Sequence, residues 1–238
     1  SAAGFNFKNG NNSLAYHWPG GQWWWNSNLI VTADQWNFVA IVVKPTGVFL
    51  VCNEDTARHN ISLTPVDITS FHIGNYQGWG DRTMKGLVDE VAIYNKALTL
   101  DEIRMIRHQT KVPATDPSLI SYYQFNTTDN PDYDKVGTKH ISLVGGAGRV
   151  TSTAPVGAGF SRKLNVTSGG LKDFGGTDVK MYFKSSGTYP NGDIYVTKIN
   201  QKPDVLPYST NTPNCYWPIN NYGSNKTFTV LDSIIFGN

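Results

Sequence analysis

The sequence predicts an all-β chain, a sandwich followed by a second, smaller β-sandwich. Three observations carry this. Strand-length runs, apolar or alternating, recur along the 238 residues between turn residues. Glycine (23) and proline (12) punctuate these runs, while charged residues stay at 16 %, a composition suited to short strands with many turns. Only one stretch, Leu100 to about Gln109, has the pattern and the start signal of a helix.

In chain order, Leu14–Trp18 alternates and ends in the Pro19-Gly20-Gly21 turn. Trp23–Ile30 follows, opening on three consecutive tryptophans. Trp36–Val43 is so apolar that it is expected to be a central strand covered on both faces. Pro45-Thr46-Gly47 turns the chain into Val48–Cys52. Strands are next expected at Ser70–Gly74 and Lys85–Tyr94.

The helix starts on a capping box: Thr99 at the cap and Glu102 three residues on, with Leu98 and Ile103 placed for a hydrophobic staple. Arg104, Arg107 and His108 are expected on an exposed side of it. Pro113, Thr115, Asp116 and Pro117 mark a linker, and Leu119–Phe125 restarts as an alternating strand. In the last third, strands are expected at Ser161–Val166, Val179–Phe183, Asp193–Ile199, Cys215–Asn220 and Thr227–Phe236. This divides the chain into residues 1–112, a linker with one strand at 113–160, and a small sandwich at 161–238. The abrupt start at Ser1 and the mid-strand pattern at the end read as an excerpt, so the chain is expected to be part of a longer protein.

Several function classes drop out. A net charge of +2 with scattered basic residues lacks the basic patch that nucleic acid requires. No apolar run is long enough for a transmembrane helix, and no signal peptide is visible. Two distant cysteines, Cys52 and Cys215, make no disulfide framework, and no Cys/His cluster suggests zinc. Asp89 and Glu90 are adjacent; on a strand they face opposite ways and cannot flank a glycosidic bond. No Gly-x-Ser-x-Gly elbow occurs, and the five histidines have no evident nucleophile partner. The chain is expected not to be an enzyme; a glycoside hydrolase is the weakest of the readings kept.

Two segments together carry a resemblance. Gln35–Val43 followed by Phe49–Asn53 resembles the paired W-x-x-V-A-x-V and L-Y-V-N-G strands of laminin-G-like, concanavalin A-type jelly rolls. Phe71–Gly74 and then Gly86–Ile103, with its Asp89-Glu90-Val91, Tyr94, Ala97-Leu98-Thr99 and Glu102-Ile103, resembles that family's closing strand. Leu119–Asn126 is similar to an opening strand, and the chain on to Gly159 is similar to segments of long surface proteins of Bacteroidetes-type bacteria. The resemblance implies a concanavalin A-like jelly roll, N-terminally incomplete, in a longer multi-modular protein that is extracellular or at the cell surface. It also implies that Tyr122–Phe125 pairs into the first sandwich, covering an otherwise open edge. The implied role is adhesion or recognition of a glycan or surface protein, the alternative being a structural spacer or assembly module. A structural Ca²⁺ is implied at Asp89, with Asn126 as a further oxygen ligand.

Sugar recognition needs an exposed ring with polar neighbours. Trp79 stands between glycines in a loop with Tyr76, Asp81 and Arg82 beside it. Trp24 is the other candidate. Strand alternation puts Trp23 and Trp25 on one face, expected to be core, and Trp24 on the other. Trp24 is then either packed under a neighbouring strand or module, or a sugar platform. The sites expected are therefore Trp24, Tyr76, Trp79, Asp81 and Arg82 for ligand, and Asp89 and Asn126 for metal.

Overall fold

The computed structural model describes residues 3–7, 11–20, 22–67, 70–75, 83–112, 115–126, 133–203 and 214–237. The chain divides into two compact units, Ser1–Val91 and Ala92–Asn238. Among the described residues, regular structure is strand throughout, apart from one short helix and a brief 3₁₀ turn. No helix among them is long and apolar enough to cross a membrane.

The first unit holds two antiparallel sheets. One runs β1 (Gly4–Phe7), β2 (Ser13–Trp18), β3 (Gln22–Ile30); the other runs β4 (Val39–Lys44), β5 (Gly47–Cys52), β6 (Asp55–His59). Leu14, Tyr16 and Leu29 from the first sheet meet Val48, Leu50 and Cys52 from the second in one buried cluster, joined by Leu63. Burial of this apolar surface is what holds the sheets face to face.

Two expectations are corrected here. The run starting at Trp36 forms an edge strand, β4, with Val39 exposed. The centre of that sheet is β5, whose Leu50, Val51 and Cys52 are all buried. A short apolar run does not by itself distinguish a centre from an edge, because hydrogen-bond partners are non-local. Ser70–Gly74 is not a strand; an isolated bridge joins Asn75 to Thr83 instead.

The second unit opens with β7 (Val91–Tyr94), which pairs with β8 (Leu119–Tyr123) in a two-stranded sheet. Between them lies α1 (Leu100–Ile106). Its capping box forms as expected: Thr99 Oγ1 accepts the Glu102 N–H at 3.2 Å, and Glu102 accepts the Thr99 N–H at 2.7 Å. The Lys96 ammonium and these Thr99 hydrogen bonds hold the Glu102 carboxyl down at about 2.

Two further sheets follow. Their strands are named in chain order: β9 (Gly159–Val166), β10 (Gly170–Asp173), β11 (Val179–Phe183), β12 (Gly192–Ile199), β13 (Ile219–Asn221) and β14 (Leu231–Phe236). One sheet runs β10-β11-β14 and the other β13-β12-β9. Their facing sides bury Val166, Phe174, Val179, Met181, Phe183, Ile194, Val196 and Val230. This is the small sandwich that the last third of the sequence predicts.

The outer side of α1 also departs from expectation. Arg104, Arg107 and His108 are packed, not solvent-facing. The Arg104 guanidinium lies 4.0 Å from the Tyr222 ring centroid, and Arg107 donates to the Tyr222 hydroxyl at 3.0 Å. His108 is buried, with Nδ1 2.8 Å from the Pro155 carbonyl oxygen and Nε2 2.9 Å from Asn220 Oδ1. Asp101 accepts from Lys163 at 2.6 Å and from the Tyr195 hydroxyl at 2.8 Å. The helix is thus hydrogen-bonded onto the β9, β12 and β13 side of the small sandwich. Long cationic side chains look solvent-facing in sequence, but their stems and charges can equally cover a neighbouring aromatic.

Candidate functional site

The tryptophan triplet lies on β3, and β3 is irregular twice. Tyr16 pairs with Trp25 and Trp18 with Gln22, so Trp23 and Trp24 together stand opposite the single residue His17. This is a β-bulge, and Trp24 carries it at φ +52°. Further along, Ala15 pairs with Asn26 and Ser13 with Ile30, so Ser27, Asn28 and Leu29 stand opposite Leu14. Asn28 turns this second irregularity at φ +60°. Its N–H donates to Asn26 Oδ1 at 3.1 Å, and Ser27 Oγ donates to the Leu14 carbonyl at 2.5 Å.

The bulge at Trp24 resets the alternation. Trp25 packs as expected: its ring stacks on His59 at 4.6 Å and tilts against Tyr16 at 5.9 Å, beside the core. Trp23, expected to share that core face, does not; 61 % of its surface is exposed. Trp24, the candidate platform, is 39 % exposed. Two adjacent tryptophans therefore reach solvent, and sequence reasoning missed one of them. A bulky residue at positive φ is an outlier, and such strain collects at functional sites.

Trp23 is supported from one side. Its ring lies 3.7 Å, centroid to centroid, from the buried His17 ring, tilted by 36°. Burial draws the His17 pKa below the ordinary histidine value, and does the same for His59. Both rings are neutral at neutral pH, when an unfolded histidine would protonate near pH ~6.5. The unfolded chain then binds more protons than the folded one as pH falls through about 6.5, so stability falls with it. We expect the unfolding midpoint to drop between about pH 7.5 and pH 5, and the double substitution His17→Gln, His59→Gln to flatten that slope. Circular-dichroism melts across this range check it; an unchanged slope in the double variant would exclude these two rings as its source.

The other expected ligand residues, Tyr76, Trp79, Asp81 and Arg82, lie outside the described residues. Asp89 is half-buried just before β7, and its Oδ1 accepts the Glu90 N–H at 2.9 Å. Glu90 has φ +54°, which ends the strand pattern expected from Lys85. Asn126 is exposed after β8. Among the described residues no three His, Cys, Asp or Glu side chains converge as a metal centre would require. Among the described residues, the further oxygens for a calcium ion at Asp89 would be those of backbone carbonyls, amides or water.

Asp134 is 6 % exposed and structural. Its Oδ1 accepts the N–H groups of Tyr122 at 2.9 Å and Val136 at 3.1 Å. Burial pushes its carboxyl up, but the N–H groups of Tyr122, Gly137 and Val136 outweigh that and hold it low.

A cavity of about 690 Å³ opens beside the far end of β3, lined by Asn28, Ile30, Thr32, Glu54, Asp55 and Thr56, with Ser27 and Leu29. Sequence reasoning proposes nothing here, since the lining comes from two segments brought together by the packing of β3 beside β6.

The first unit is thus a pair of sheets with exposed aromatics on one strand. Residues 2–104 match the family model of the concanavalin A-like lectin/glucanases superfamily. The concanavalin A-like match takes in β1 through most of α1, and with the sheets described above it makes this part of the chain a jelly-roll sandwich. That fold is consistent with a binding or recognition module. No curated protein matches the chain, and no solved structure does.

Proposed function

We propose that this chain is a non-catalytic recognition module that acts outside the cell and binds glycan. The observation that carries the reading is the exposure of Trp23 and Trp24 side by side on a β-bulge, with Trp23 backed by His17. A rigid, supported ring face is what a pyranose C–H face stacks on, while polar neighbours bond its hydroxyls. The family description takes in both lectins and glucanases; the aromatic platform favours the binding side of that pair. A structural calcium at Asp89, with Asn126 as a candidate ligand, belongs to the same proposal.

The test is titration of the chain with soluble neutral oligosaccharides, in calcium and in chelator, followed by calorimetry and tryptophan emission. We expect saturable binding with a blue shift, as ring faces leave water. A higher melting temperature in calcium than in chelator would support the metal. Absence of binding in both conditions would overturn the glycan reading.

A second reading, a structural spacer within a longer surface protein, is favoured by one observation. The concanavalin A-like match ends at residue 104, inside a helix hydrogen-bonded to the small sandwich through Asp101, Arg107 and His108. Side chains tied up in this way serve packing within the second unit rather than ligand contact.

A further inference from the structure

Among the described residues the small sandwich has four sheet edges, and three of them are guarded. β10 carries Lys172 and Asp173, β9 carries Arg162 and Lys163, and β13 is 3 residues long. Charge and shortness are how sheets keep other strands off their edges. The end of β14 has neither. Residues 233–237 are uncharged, and Ile234, Ile235 and Phe236 are 37 %, 52 % and 48 % exposed. The backbone shows which groups are left over. The Gly237 N–H donates to the Asp178 carbonyl at 2.6 Å, one step beyond the Val179–Phe236 pair. Antiparallel ladders alternate, so Ile235 and Ser233 also turn their N–H and C=O groups toward β11, while Ile234 and Phe236 turn theirs outward. Among the described residues no other strand lies on that side. Outward backbone groups beside apolar side chains are a template for one more strand.

The order of residues fits this edge to itself. When two β14 strands lie antiparallel about Ile235, Ile234 stands opposite the second copy's Phe236, and Phe236 opposite its Ile234. Each of these pairs exchanges two backbone hydrogen bonds, so every outward N–H and C=O of Ile234 and Phe236 is satisfied. The side chains agree. Ile234 and Phe236 pair with Met181 and Val179, so they lie on the core face, and the two cores would join in one apolar layer. Trp217 already supports the Phe236 ring, 4.8 Å away between centroids. Ile235 meets its own copy on the other face, at a non-hydrogen-bonded position where side chains approach closest. Asp232 falls outside the hydrogen-bonded stretch, so no like charges oppose each other across it. A register two residues off would set Asp232 against the Phe236 ring.

We propose that β14 is a self-association edge, on which a second copy of this chain adds its own β14 antiparallel about Ile235. The contact is one strand wide and falls below the roughly 1,200 Å² that a stable pair buries, so the dimer is weak and concentration-dependent. The experiment is sedimentation equilibrium of the full chain from about 10 μM to about 1 mM, the range in which so small an interface associates. The average mass is expected to climb from 26.3 kDa toward twice that value. Ile235→Lys should weaken association by about tenfold or more, since like charges then face each other at the closest point. Leu171→Lys, also at an exposed site but on the far strand β10, should leave it unchanged. With the partly exposed Cys215 replaced by serine and Cys52 left buried, Ile235→Cys should give a disulfide-linked dimer on mild oxidation, because facing Cα atoms there come within disulfide reach. Ser233→Cys in the same background should not.

A native chain that stays at 26.3 kDa throughout overturns the proposal, and leaves this edge to a strand of another protein. Association that survives Ile235→Lys, or that Leu171→Lys abolishes, overturns it as well. Crosslinking through position 233 and not through 235 overturns the register. Melting curves of each variant show that the fold is retained.

Discussion

Trp23→Ala is expected to weaken glycan binding by roughly tenfold to a hundredfold while leaving the fold in place. The ring is 61 % exposed, so a bound sugar would bury apolar surface that the folded chain leaves in water. Covering a large apolar side chain contributes about 1.5–3 kcal/mol, and about 1.4 kcal/mol corresponds to a tenfold change in affinity. The same exposure keeps the stability cost small. The substitution removes the tilted ring contact with His17, and changes at exposed positions rarely exceed about 0.5 kcal/mol. Trp23→Phe should recover part of the affinity, because it restores a ring face. Trp25→Ala serves as the contrast: its ring stacks on His59 and packs beside Tyr16, so it should destabilise the unit. Calorimetry and melting curves on the three variants separate the roles. Unchanged affinity in Trp23→Ala would remove this ring from any ligand contact.

Phe174→Ala is expected to cost the small sandwich about 3–5 kcal/mol, the usual range for emptying a fully buried phenylalanine site. Phe174 has no exposed surface and belongs to the buried cluster with Val179, Met181 and Phe183. Its backbone also closes the turn before β11: its N–H donates to the Val179 carbonyl at 2.9 Å, and the Thr177 hydroxyl donates to its carbonyl at 2.7 Å. The Trp217 indole N–H in turn bonds the Thr177 carbonyl at 2.7 Å. Collapse of the cavity is therefore resisted by a tied turn, which places the cost toward the upper part of the range. Native-state hydrogen exchange of amides in β11 and β12 reads the effect unit by unit. A loss below about 1 kcal/mol would mean the site refills, and that the turn is softer than its hydrogen bonds suggest.

Much of the fold was legible because its determinants are local. Alternation and turn residues identify β2, β3, β5, β9, β11 and β12, and the Thr99–Glu102 capping box announces α1 within a few residues of where it starts. The segments Gln35–Val43 with Phe49–Asn53, and Phe71–Gly74 with Gly86–Ile103, led to the same jelly-roll family that matches residues 2–104. Short strands with weak apolar signals, β6 and β10, were not legible. Each is held by its partner: Asp55–His59 by β5 and Gly170–Asp173 by β11.

Fold class, the helix with its cap, and the placing of tryptophans on β3 all follow from neighbouring residues in the chain. Which of those tryptophans reach solvent does not; long-range pairing sets that. Alternation is a rule of unbroken strands, and the bulge that shifts its phase at Trp24 exists because β3 pairs with β2 on either side of His17, at Tyr16 and Trp18. The same reason hid the cavity at Asn28, whose walls come from residues 27–32 and 54–56. It also hid the true surroundings of Arg107 and His108, whose partners Tyr222 and Asn220 lie more than a hundred residues away in sequence. Contacts between distant residues carry no local periodicity, so a linear reading has nothing from which to infer them.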